Sequence, residues 1–459
     1  MKNGTVLKPS KYIISCVDGN GDLLLCNFVK GISSFCKIDK SEIAVYNSLI
    51  NNQELLYDEN ISYHVDLFNR GYFFSEANDE IRTIKSNYYN YALSAPVKLT
   101  VMPTENCNFR CKYCYETFEK GKMNQEDQVS LLKFIQNSLT TAPSVHVSWF
   151  GGEPLEAIDV VYYVLNNVKE MCAKRYRSYS SGMTTNGYNL DLDTFDELYK
   201  LKVYGYQITL DGLKEQHDSQ RIKADGSGTF DKIFQNLLKI KNSEGYKLAR
   251  ITVRVNVTRD ISFRLDEFIK FYEDYFGNDE RFNVRFAITG KYTGLVNDNF
   301  ENKLMKSEDI YECLEEHNIY ENDKINLTDY ERFFTPMNLI CYASRKNSYI
   351  VGSDLTLYKC TIHFDKEENN IGKILKNGKL SLNHDLHNRW YLIDDLQNIE
   401  KRCIECFYFP CCLGISCPLK TNFDVLENRC TMSHLKKRLP RYLLYVSNKW
   451  EFAKISMKN

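Results

Sequence analysis

Long apolar segments are missing from this sequence. No uninterrupted apolar run reaches the roughly 18 residues that a membrane-spanning helix needs, and residues 1–15 lack the apolar core of a secretory signal peptide. An excess of one charge is also missing, because 59 basic and 60 acidic residues nearly cancel and form no long like-charged run. These absences predict a cytoplasmic protein with no nucleic-acid partner and no membrane partner.

Cysteine, in contrast, is abundant, with 16 residues in a chain of 459. Disulfides are rare in a reducing cytoplasm, so this number indicates metal chemistry. Ten of the cysteines fall into two groups with metal-ligand spacing. Five others are interpreted as ordinary unligated thiols: Cys16, Cys26, Cys36, Cys172 and Cys313.

The middle of the chain alternates strand-like apolar runs with amphipathic helical stretches in six units. The predicted strands are Val97–Met102, Val145–Phe150, Ser180–Thr184, Val203–Leu210, Arg250–Val257 and Asn283–Ile288. The predicted helices include Gln125–Leu139, Val160–Lys174, Thr194–Leu201, Phe230–Ile240 and Leu265–Phe276. Such alternation predicts an α/β fold with a parallel sheet and an active site at the C-terminal strand ends.

The regions on either side of this core differ from it. Tyr12–Phe28 predicts a β-hairpin with a turn at Asp18–Gly21, and helical patterns follow at Ser41–Ile50 and Ile61–Asn69. This N-terminal region is either a packing cap or a surface that pairs with an extended peptide. After about residue 325 the alternation of strands and helices stops and cysteine density rises, which predicts a region held together by bound metal.

Three cysteines directly after the first predicted strand carry the strongest functional signal. Cys107, Cys111 and Cys114 have the spacing Cys-x3-Cys-x2-Cys. Iron-sulfur clusters usually take four cysteines, so a group of three predicts a 4Fe-4S cluster with one iron open to a small molecule. A zinc knuckle is the alternative interpretation of these residues.

Polar motifs end the next strands as well. Gly151, Gly152 and Glu153 follow the second strand, where paired glycines permit close backbone approach and a carboxylate accepts hydrogen bonds from an ammonium group. Further candidates are Asn186 after the third strand, Thr209 and Asp211 at the fourth, and then His217, Asp218 and Arg221, with Arg254 and Asn256 weaker candidates on the fifth. Asn-Gly and Asp-Gly pairs taken singly are more often plain turns.

The cysteine spacing and these strand-end motifs resemble the radical S-adenosylmethionine (SAM) superfamily. The resemblance implies a partial (βα)6 TIM-like barrel in which SAM chelates the open iron and is cleaved to a 5′-deoxyadenosyl radical. It implies that Gly151, Gly152 and Glu153 bind the methionine amino group, and that Tyr113 lies near the adenine. The ribose and carboxylate of SAM are assigned by the same resemblance to Asn186, Thr209, Asp211 and Arg221.

The C-terminal cysteines resemble the SPASM domain of peptide-modifying radical SAM enzymes. That resemblance implies two auxiliary 4Fe-4S clusters, and so three clusters in the whole protein. One set of ligands would be Cys403, Cys406, Cys412 and Cys430, and the other Cys341, Cys360 and Cys417. Two structural zinc sites are the alternative.

This sequence departs from the SPASM pattern at two positions. The segment between Cys412 and Cys417 is one residue longer than usual, which leaves the choice between Cys411 and Cys412 open. Leu355 stands where the pattern has glycine. With three obvious ligands, the second auxiliary set predicts either an open iron or a fourth ligand that the sequence does not identify.

The resulting prediction is a three-part enzyme: an N-terminal α+β domain at 1–95 for possible leader-peptide recognition, a radical SAM core at 96–325 and a SPASM domain at 326–459. The family resemblance implies hydrogen abstraction from a ribosomal precursor peptide to form a thioether or other cross-link, with flavodoxin or ferredoxin as electron donor. One alternative is an anaerobic sulfatase-maturase-like enzyme that oxidises Cys or Ser to formylglycine. The other is a non-catalytic iron-sulfur scaffold or electron carrier.

Overall fold

The computed structural model of the protein describes residues 1–52, 54–75, 79–116, 118–289, 298–317, 319, 331–392, 399–414, 416–423, 430 and 432–458. The chain divides into two compact units. The core unit comprises residues 95–328 and 347–387, and the terminal unit comprises residues 1–94, 329–346 and 388–459. The predicted boundary between residues 325 and 326 lies outside the described residues.

Strands and helices are numbered in chain order. The strands are β1 (Val6–Pro9), β2 (Ile13–Val17), β3 (Leu23–Asn27), β4 (Cys36–Ile38), β5 (Leu55–Leu56), β6 (Phe73–Phe74), β7 (Val97–Val101), β8 (Ser144–Trp149), β9 (Ser178–Thr185), β10 (Val203–Thr209), β11 (Arg250–Val257), β12 (Phe282–Ile288), β13 (Ser348–Val351), β14 (Thr356–Tyr358), β15 (Asn370–Ile374), β16 (Leu380–Leu382) and β17 (Ala453–Ile455). The helices are α1 (Ile43–Asn51), α2 (Ser62–Asn69), α3 (Glu80–Ala92), α4 (Gln125–Ser138), α5 (Ile158–Lys174), α6 (Leu192–Lys200), α7 (Lys214–Gln220), α8 (Phe230–Asn242), α9 (Arg259–Ser262), α10 (Leu265–Phe276), α11 (Asp298–Glu301), α12 (Ser307–Glu316), α13 (His384–Tyr391), α14 (Lys401–Ile404), α15 (Phe409–Cys412), α16 (Pro418–Thr421) and α17 (Ser433–Lys449).

The core unit is built on a ten-stranded sheet in the order β12-β11-β10-β9-β8-β7-β13-β14-β15-β16. Strands β7 to β12 run parallel to one another in sequence order, so the prediction of six consecutive βα units and an α/β fold is confirmed. Parallel neighbours bring their C-terminal ends to one edge of the sheet. The polar motifs of the sequence therefore share that edge.

Apolar periodicity explains the helices that cover this sheet. In α5 the buried residues recur every three or four positions, at Val160, Val161, Val164, Leu165, Val168 and Cys172, and this spacing forms one apolar stripe. Helix α4 begins where the Asn124 side chain accepts a hydrogen bond from Asp127 N, and α6 where Asp191 accepts one from Thr194 N. The predicted helices of the core agree with the observed ones to within about two residues.

Strands β13 to β16 extend the same sheet, which the sequence did not predict. Strand β13 pairs in parallel with β7, and β14, β15 and β16 follow as antiparallel neighbours. These short strands lie in the region that the sequence analysis treated as irregular. The extension covers the edge of β7 that would otherwise be unpaired.

The terminal unit contains a three-stranded sheet, β5-β1-β6, and a four-stranded sheet, β17-β4-β3-β2. The predicted hairpin is confirmed, because β2 and β3 pair antiparallel from Ile13 opposite Asn27 to Val17 opposite Leu23. Strand β17 near the C-terminus pairs in parallel with β4. Among the residues that the structure describes, no helix combines the length and apolar character needed to cross a bilayer.

Candidate functional site

The three cysteines after β7 lie on a loop that a second segment holds in place. Arg110 N donates to Ile222 O at 2.8 Å, and Lys112 N donates to Gln220 O at 3.0 Å. Phe109 is buried within this loop, while Cys107, Cys111 and Cys114 remain partly exposed. The backbone is thus anchored between the cysteines.

The electrostatics of the three thiols reflect their burial and their proximity. Burial raises the pKa of Cys107 to about 12 and of Cys114 to about 11, and the neighbouring thiols of the trio add to both shifts. Burial also raises the pKa of Cys111, although Arg221 opposes the shift. Metal ligation requires these thiols to lose their protons. A cation bound in place of the protons would compensate the repulsion between the three negative thiolates.

Gly151 and Gly152 pack directly against the cysteine loop. Gly151 has a φ of +106°, and a Cβ there would lie 2.7 Å from Thr104 O. A Cβ on Gly152 would collide with the carbonyl oxygens of Glu105 and Asn106. Gly152 N donates to Thr104 O at 3.2 Å. The paired glycines therefore allow the end of β8 to hydrogen-bond to the segment that leads into Cys107.

Glu153 is fully buried and links two strand ends. Its carboxylate accepts hydrogen bonds from Leu155 N at 3.0 Å, Thr185 Oγ1 at 2.6 Å and Asn186 N at 2.7 Å. Burial raises the pKa of this carboxyl, and the three donors partly offset the shift. The carboxylate thus fastens the end of β9 to the end of β8, and its direct contact with a SAM ammonium stays a prediction.

Asn186 connects the end of β9 to the cysteine loop. Its side-chain amide donates to Asn108 Oδ1 at 2.7 Å and lies 3.9 Å from Cys107 Sγ. Its Oδ1 accepts from Tyr188 N at 2.9 Å. This residue thus lies beside the first cysteine, with its orientation fixed by hydrogen bonds.

Tyr113 lies at the centre of a buried polar cluster. Its hydroxyl donates to Asp211 Oδ2 and accepts from Arg221 at 2.6 Å and from Asn256 Nδ2 at 3.1 Å. Burial raises the pKa of Asp211, and the Arg221 guanidinium opposes that shift. The weaker candidates of the fifth strand join this cluster, because Arg254 Nε donates to Asn256 Oδ1 at 2.8 Å. Thr209 is buried at the end of β10, two residues before Asp211.

His217 is a buried support of the same cluster. Asp211 N donates to His217 Nδ1 at 3.1 Å, so Nδ1 carries no proton and Nε2 donates to Thr229 Oγ1 at 3.0 Å. Thr229 Oγ1 in turn donates to Arg221 O at 2.6 Å. The sequence analysis did not single out Thr229, since a lone threonine before a helix carries no specific signal.

The buried His217 predicts a pH dependence of stability. Burial lowers its folded-state pKa to about 3, whereas an unfolded histidine titrates near about 6.5. Below that value the unfolded chain binds the extra proton, so His217 costs stability as pH falls towards 3. We expect it to lower the free energy of unfolding by about 2 kcal/mol between neutral pH and pH 5.

Urea denaturation of the His217→Gln variant at several pH values checks this expectation. The slope of stability against pH should flatten relative to the parent. His384→Gln is the matched control, because His384 is exposed, and it should leave the slope unchanged. Equal slopes in the parent and the His217→Gln variant would contradict the prediction.

Four of the C-terminal cysteines form one group in the terminal unit. Cys412 interacts electrostatically with Cys406, Cys403 and Cys430, and burial raises its pKa to about 12. A Cβ on Gly414, whose φ is +67°, would lie 3.0 Å from Cys403 Sγ. Gly414 therefore lies directly against Cys403.

Cys411 and Cys412 point to different surroundings. Cys411 is fully buried, and its thiol donates to Phe333 O at 3.7 Å. Cys412 instead lies with the other three thiols of its group. This geometry favours Cys412 as the ligand.

We expect Cys412→Ala to lower the iron content of the reconstituted protein by about four atoms per chain, one cube. Cys411→Ala should leave the iron content unchanged, because its thiol faces the protein core. Iron and sulfide analysis of both variants checks the assignment. Loss of iron in Cys411→Ala alone would reverse it.

The remaining predicted ligands are divided between the two units. In the terminal unit, Cys341 N donates to Ser416 O at 3.1 Å, which brings Cys341 next to Cys417. Cys360 belongs to the core unit, where its backbone N and O are both held by the Asn369 side chain at 2.7 and 2.8 Å. The structure thus pairs Cys341 with Cys417 and fixes Cys360 separately.

Three thiols on one loop are a donor set that suits an iron-sulfur cluster. Within the described ranges, no group of three or more His, Cys, Asp or Glu side chains is arranged to hold a metal ion. A cube binds each cysteine to a different iron, so its thiolates need not converge on one point. Beside the first trio, Arg221 Nε and both amide atoms of Gln220 are buried without a hydrogen-bond partner among the described residues. Such groups suit a polar ligand bound there.

Comparison with known proteins agrees with this geometry. Residues 101–261 match the family model described as the radical SAM superfamily. The cysteine-type anaerobic sulfatase-maturating enzyme of Clostridium novyi (strain NT) is 29% identical over 181 residues, which cover 37% of this chain and 46% of that enzyme. The serine-type enzyme of Bacteroides thetaiotaomicron is 31% identical over 143 residues, covering 29% of this chain and 34% of that protein. The matched part thus spans less than half the length of these curated relatives.

A solved structure, native anSMEcpe with bound AdoMet and Cp18Cys peptide, shares the fold. It has a TM-score of 0.57 and 18% identity, and the match covers 77% of this chain and 99% of that one. The chain therefore contains a radical SAM domain, and its sequence is homologous to the anaerobic sulfatase-maturating enzymes.

Proposed function

We propose that this protein is a radical SAM oxidoreductase that modifies a peptide, with a thioether or other cross-link as its product. The observation that carries the proposal is the contact between Gly151–Gly152 and the loop of Cys107, Cys111 and Cys114. Both segments lie at the C-terminal edge of the parallel sheet, inside the matched family region. When bound to this trio, a 4Fe-4S cluster and SAM would supply a 5′-deoxyadenosyl radical.

The residues of the site have separable tasks under this proposal. Cys107, Cys111 and Cys114 hold the cluster, and the glycines keep their loop against β8. The Tyr113 cluster fixes the Arg221 side chain in a buried position, with its Nε left for a ligand. Burial of these groups excludes bulk water from the place where a radical would form.

Two further 4Fe-4S clusters are part of the proposal, one on Cys403, Cys406, Cys412 and Cys430 and one on Cys341, Cys360 and Cys417. The mutual proximity of the first four thiols supports the first cluster. The contact between Cys341 and Ser416 supports the placement of Cys341 beside Cys417. An electron donor such as flavodoxin or ferredoxin completes the proposed system.

Anaerobic purification and reconstitution, followed by iron and sulfide analysis, tests the cofactors. About twelve irons per chain are expected for three cubes. A dithionite-driven assay should then produce 5′-deoxyadenosine from SAM. Zinc in place of iron, with no cleavage of SAM, would overturn the proposal and favour a scaffold.

Sulfatase-maturase-like oxidation of Cys or Ser to formylglycine is the second candidate, favoured by the homology to those enzymes. The Cp18Cys peptide is a direct probe, because anSMEcpe binds it in the solved structure. An aldehyde product that reacts with a hydrazide would establish this candidate. A precursor peptide encoded beside the gene is the probe for the cross-link. Loss of two hydrogens, with the sulfur retained and the product stable to a thiol reductant, would establish the cross-link instead.

Peptide recognition by residues 1–95 remains a proposal within this function. Strand β2 is one of the two edge strands of its four-stranded sheet, and pairing with an extended peptide requires an edge strand. Deleting the region would remove β4, the partner of β17, so deletion is a poor test. Hydrogen exchange is better: precursor peptide should slow exchange of the amides of β2 (Ile13–Val17). Unchanged exchange with bound peptide would refute this mode.

A further inference from the structure

A lysine contacts the four-cysteine group of the terminal unit. Helix α17 begins three residues after Cys430, and its residue Lys436 projects towards the group. Lys436 Nζ donates to Cys406 Sγ at 3.5 Å. Cys430 and Cys412 are near enough to interact with the same ammonium group. One positive charge therefore lies against the thiols that the proposed function assigns to a cluster.

The other basic groups nearby are differently placed. Arg402 interacts with Cys403 and Cys430, but its charge is offset by an ion pair with Glu400. Lys401 pairs with Glu405 at 3.6 Å. Lys436, in contrast, directs its ammonium to a sulfur atom.

A positive charge beside these thiols would affect the reduction potential of a cluster bound to them. Reduction of a cluster adds negative charge to the iron and sulfur atoms, and a nearby ammonium group stabilises the more negative form. Hydrogen bonds to sulfur, net charge and solvent exposure are the properties by which a protein sets the potential of an iron-sulfur cluster. Lys436 supplies both a hydrogen bond and a charge.

We propose that Lys436 raises the reduction potential of the cluster held by Cys403, Cys406, Cys412 and Cys430. The inference rests on the proposed function, because it takes these four cysteines as cluster ligands. A raised potential makes this cluster the easier one to reduce and suits it to accept electrons. Lys436 is a tuning residue and not a ligand, since its contact is with a cysteine sulfur.

The test is a potentiometric titration of the reconstituted protein, monitored by visible absorption and electron paramagnetic resonance. Lys436→Met removes the charge and keeps a side chain of similar length. Lys436→Arg keeps the charge. Lys437→Met is the matched control, because Lys437 is the exposed neighbour on the same helix and its loss changes the net charge equally.

In Lys436→Met we expect the reduction potential of one cluster to shift to a more negative value. The ratio of reduced to oxidised cluster at a fixed potential should fall about tenfold, which corresponds to 59 mV for one electron. Lys436→Arg should retain most of the parent value, and Lys437→Met should match the parent. Iron content should be the same in all four proteins.

Three outcomes would overturn the inference. If no couple moves in Lys436→Met, the lysine does not tune a cluster. If the variant loses about four irons per chain, its role is to hold the site together. If the parent itself binds no iron in this region while the Cys107 trio does, the assignment of the four cysteines fails and the first cluster of the proposed function survives.

Discussion

We expect no 5′-deoxyadenosine to form from SAM when Cys107, Cys111 and Cys114 are all replaced by alanine, because this change removes every thiolate in the loop after β7. The C-terminal cysteines are not altered, so about eight of about twelve irons should remain after reconstitution. Iron analysis and chromatographic detection of 5′-deoxyadenosine, both under anaerobic conditions, measure the two effects.

The matched control replaces three cysteines outside both groups, Cys16, Cys172 and Cys313, which are free thiols in the structure. That protein should keep all its iron and its SAM cleavage. If 5′-deoxyadenosine still formed without the trio, the radical chemistry would have to occur elsewhere. If all iron were lost, the trio would be required for folding, and the activity result would say nothing about its ligand role.

The sheet of the core unit was predictable because its strands are short apolar runs with clear boundaries. The strand predicted at Arg250–Val257 is observed as β11, with the same first and last residues. Parallel pairing follows from the helices between strands, since a connection of that length crosses over the sheet. The same rule predicted that the cysteine loop, Gly151–Gly152 and Asp211 would share one edge.

The prediction failed where contacts join distant parts of the chain. Strand β13 pairs with β7, although Val351 and its partner Val101 are 250 residues apart in the sequence, and no local pattern indicates such a pairing. Helix α17 was missed for another reason. Its buried residues have helical spacing, but the cysteine-rich region before it has no regular apolar periodicity. These residues are Leu435, Leu439, Tyr442, Leu443 and Val446.

Leu355 has a backbone conformation that usually favours glycine. Its φ is +68°, in the left-handed region where glycine is favoured and other residues cost about 1–2 kcal/mol. The side chain is nevertheless buried, at 2% exposure, and burying a leucine contributes about 1.5–3 kcal/mol. The packing offsets the strain, which explains how leucine occupies a position that the pattern gives to glycine.

The candidate site was predictable in composition and not in its supporting contacts. Spacing alone identified the trio and the paired glycines. It did not separate Cys411 from Cys412, because adjacent residues point to different sides of a helix and the sequence does not show which side faces Cys403, Cys406 and Cys430. The contact of Lys436 with Cys406 links two segments 30 residues apart, and its charge looks like any surface lysine in the sequence.

Gly152→Ala is expected to have the second large effect, because the new methyl group has no space. It would collide with the backbone carbonyls of Glu105 and Asn106, which flexible side-chain motion cannot relieve. The hydrogen bond from Glu153 N to Asn106 O at 2.9 Å would be displaced. Overpacking of this kind costs about 1–3 kcal/mol, and the loop leading to Cys107 would move away from β8. We expect SAM cleavage to fall at least about tenfold, equivalent to about 1.4 kcal/mol.

Gly205→Ala is the matched control for this substitution. Gly205 lies in β10, is exposed, and has nothing within 4 Å of an added Cβ, so activity and iron content should equal those of the parent. The measurements are iron content, 5′-deoxyadenosine yield and the thermal unfolding midpoint of all three proteins. Full activity in Gly152→Ala would show that the contact between the glycines and the cysteine loop is dispensable, which would remove the observation on which the proposed function depends. Reduced activity with an unchanged midpoint would instead locate the damage in the loop, because the strain acts on the ligand geometry and leaves the sheet intact.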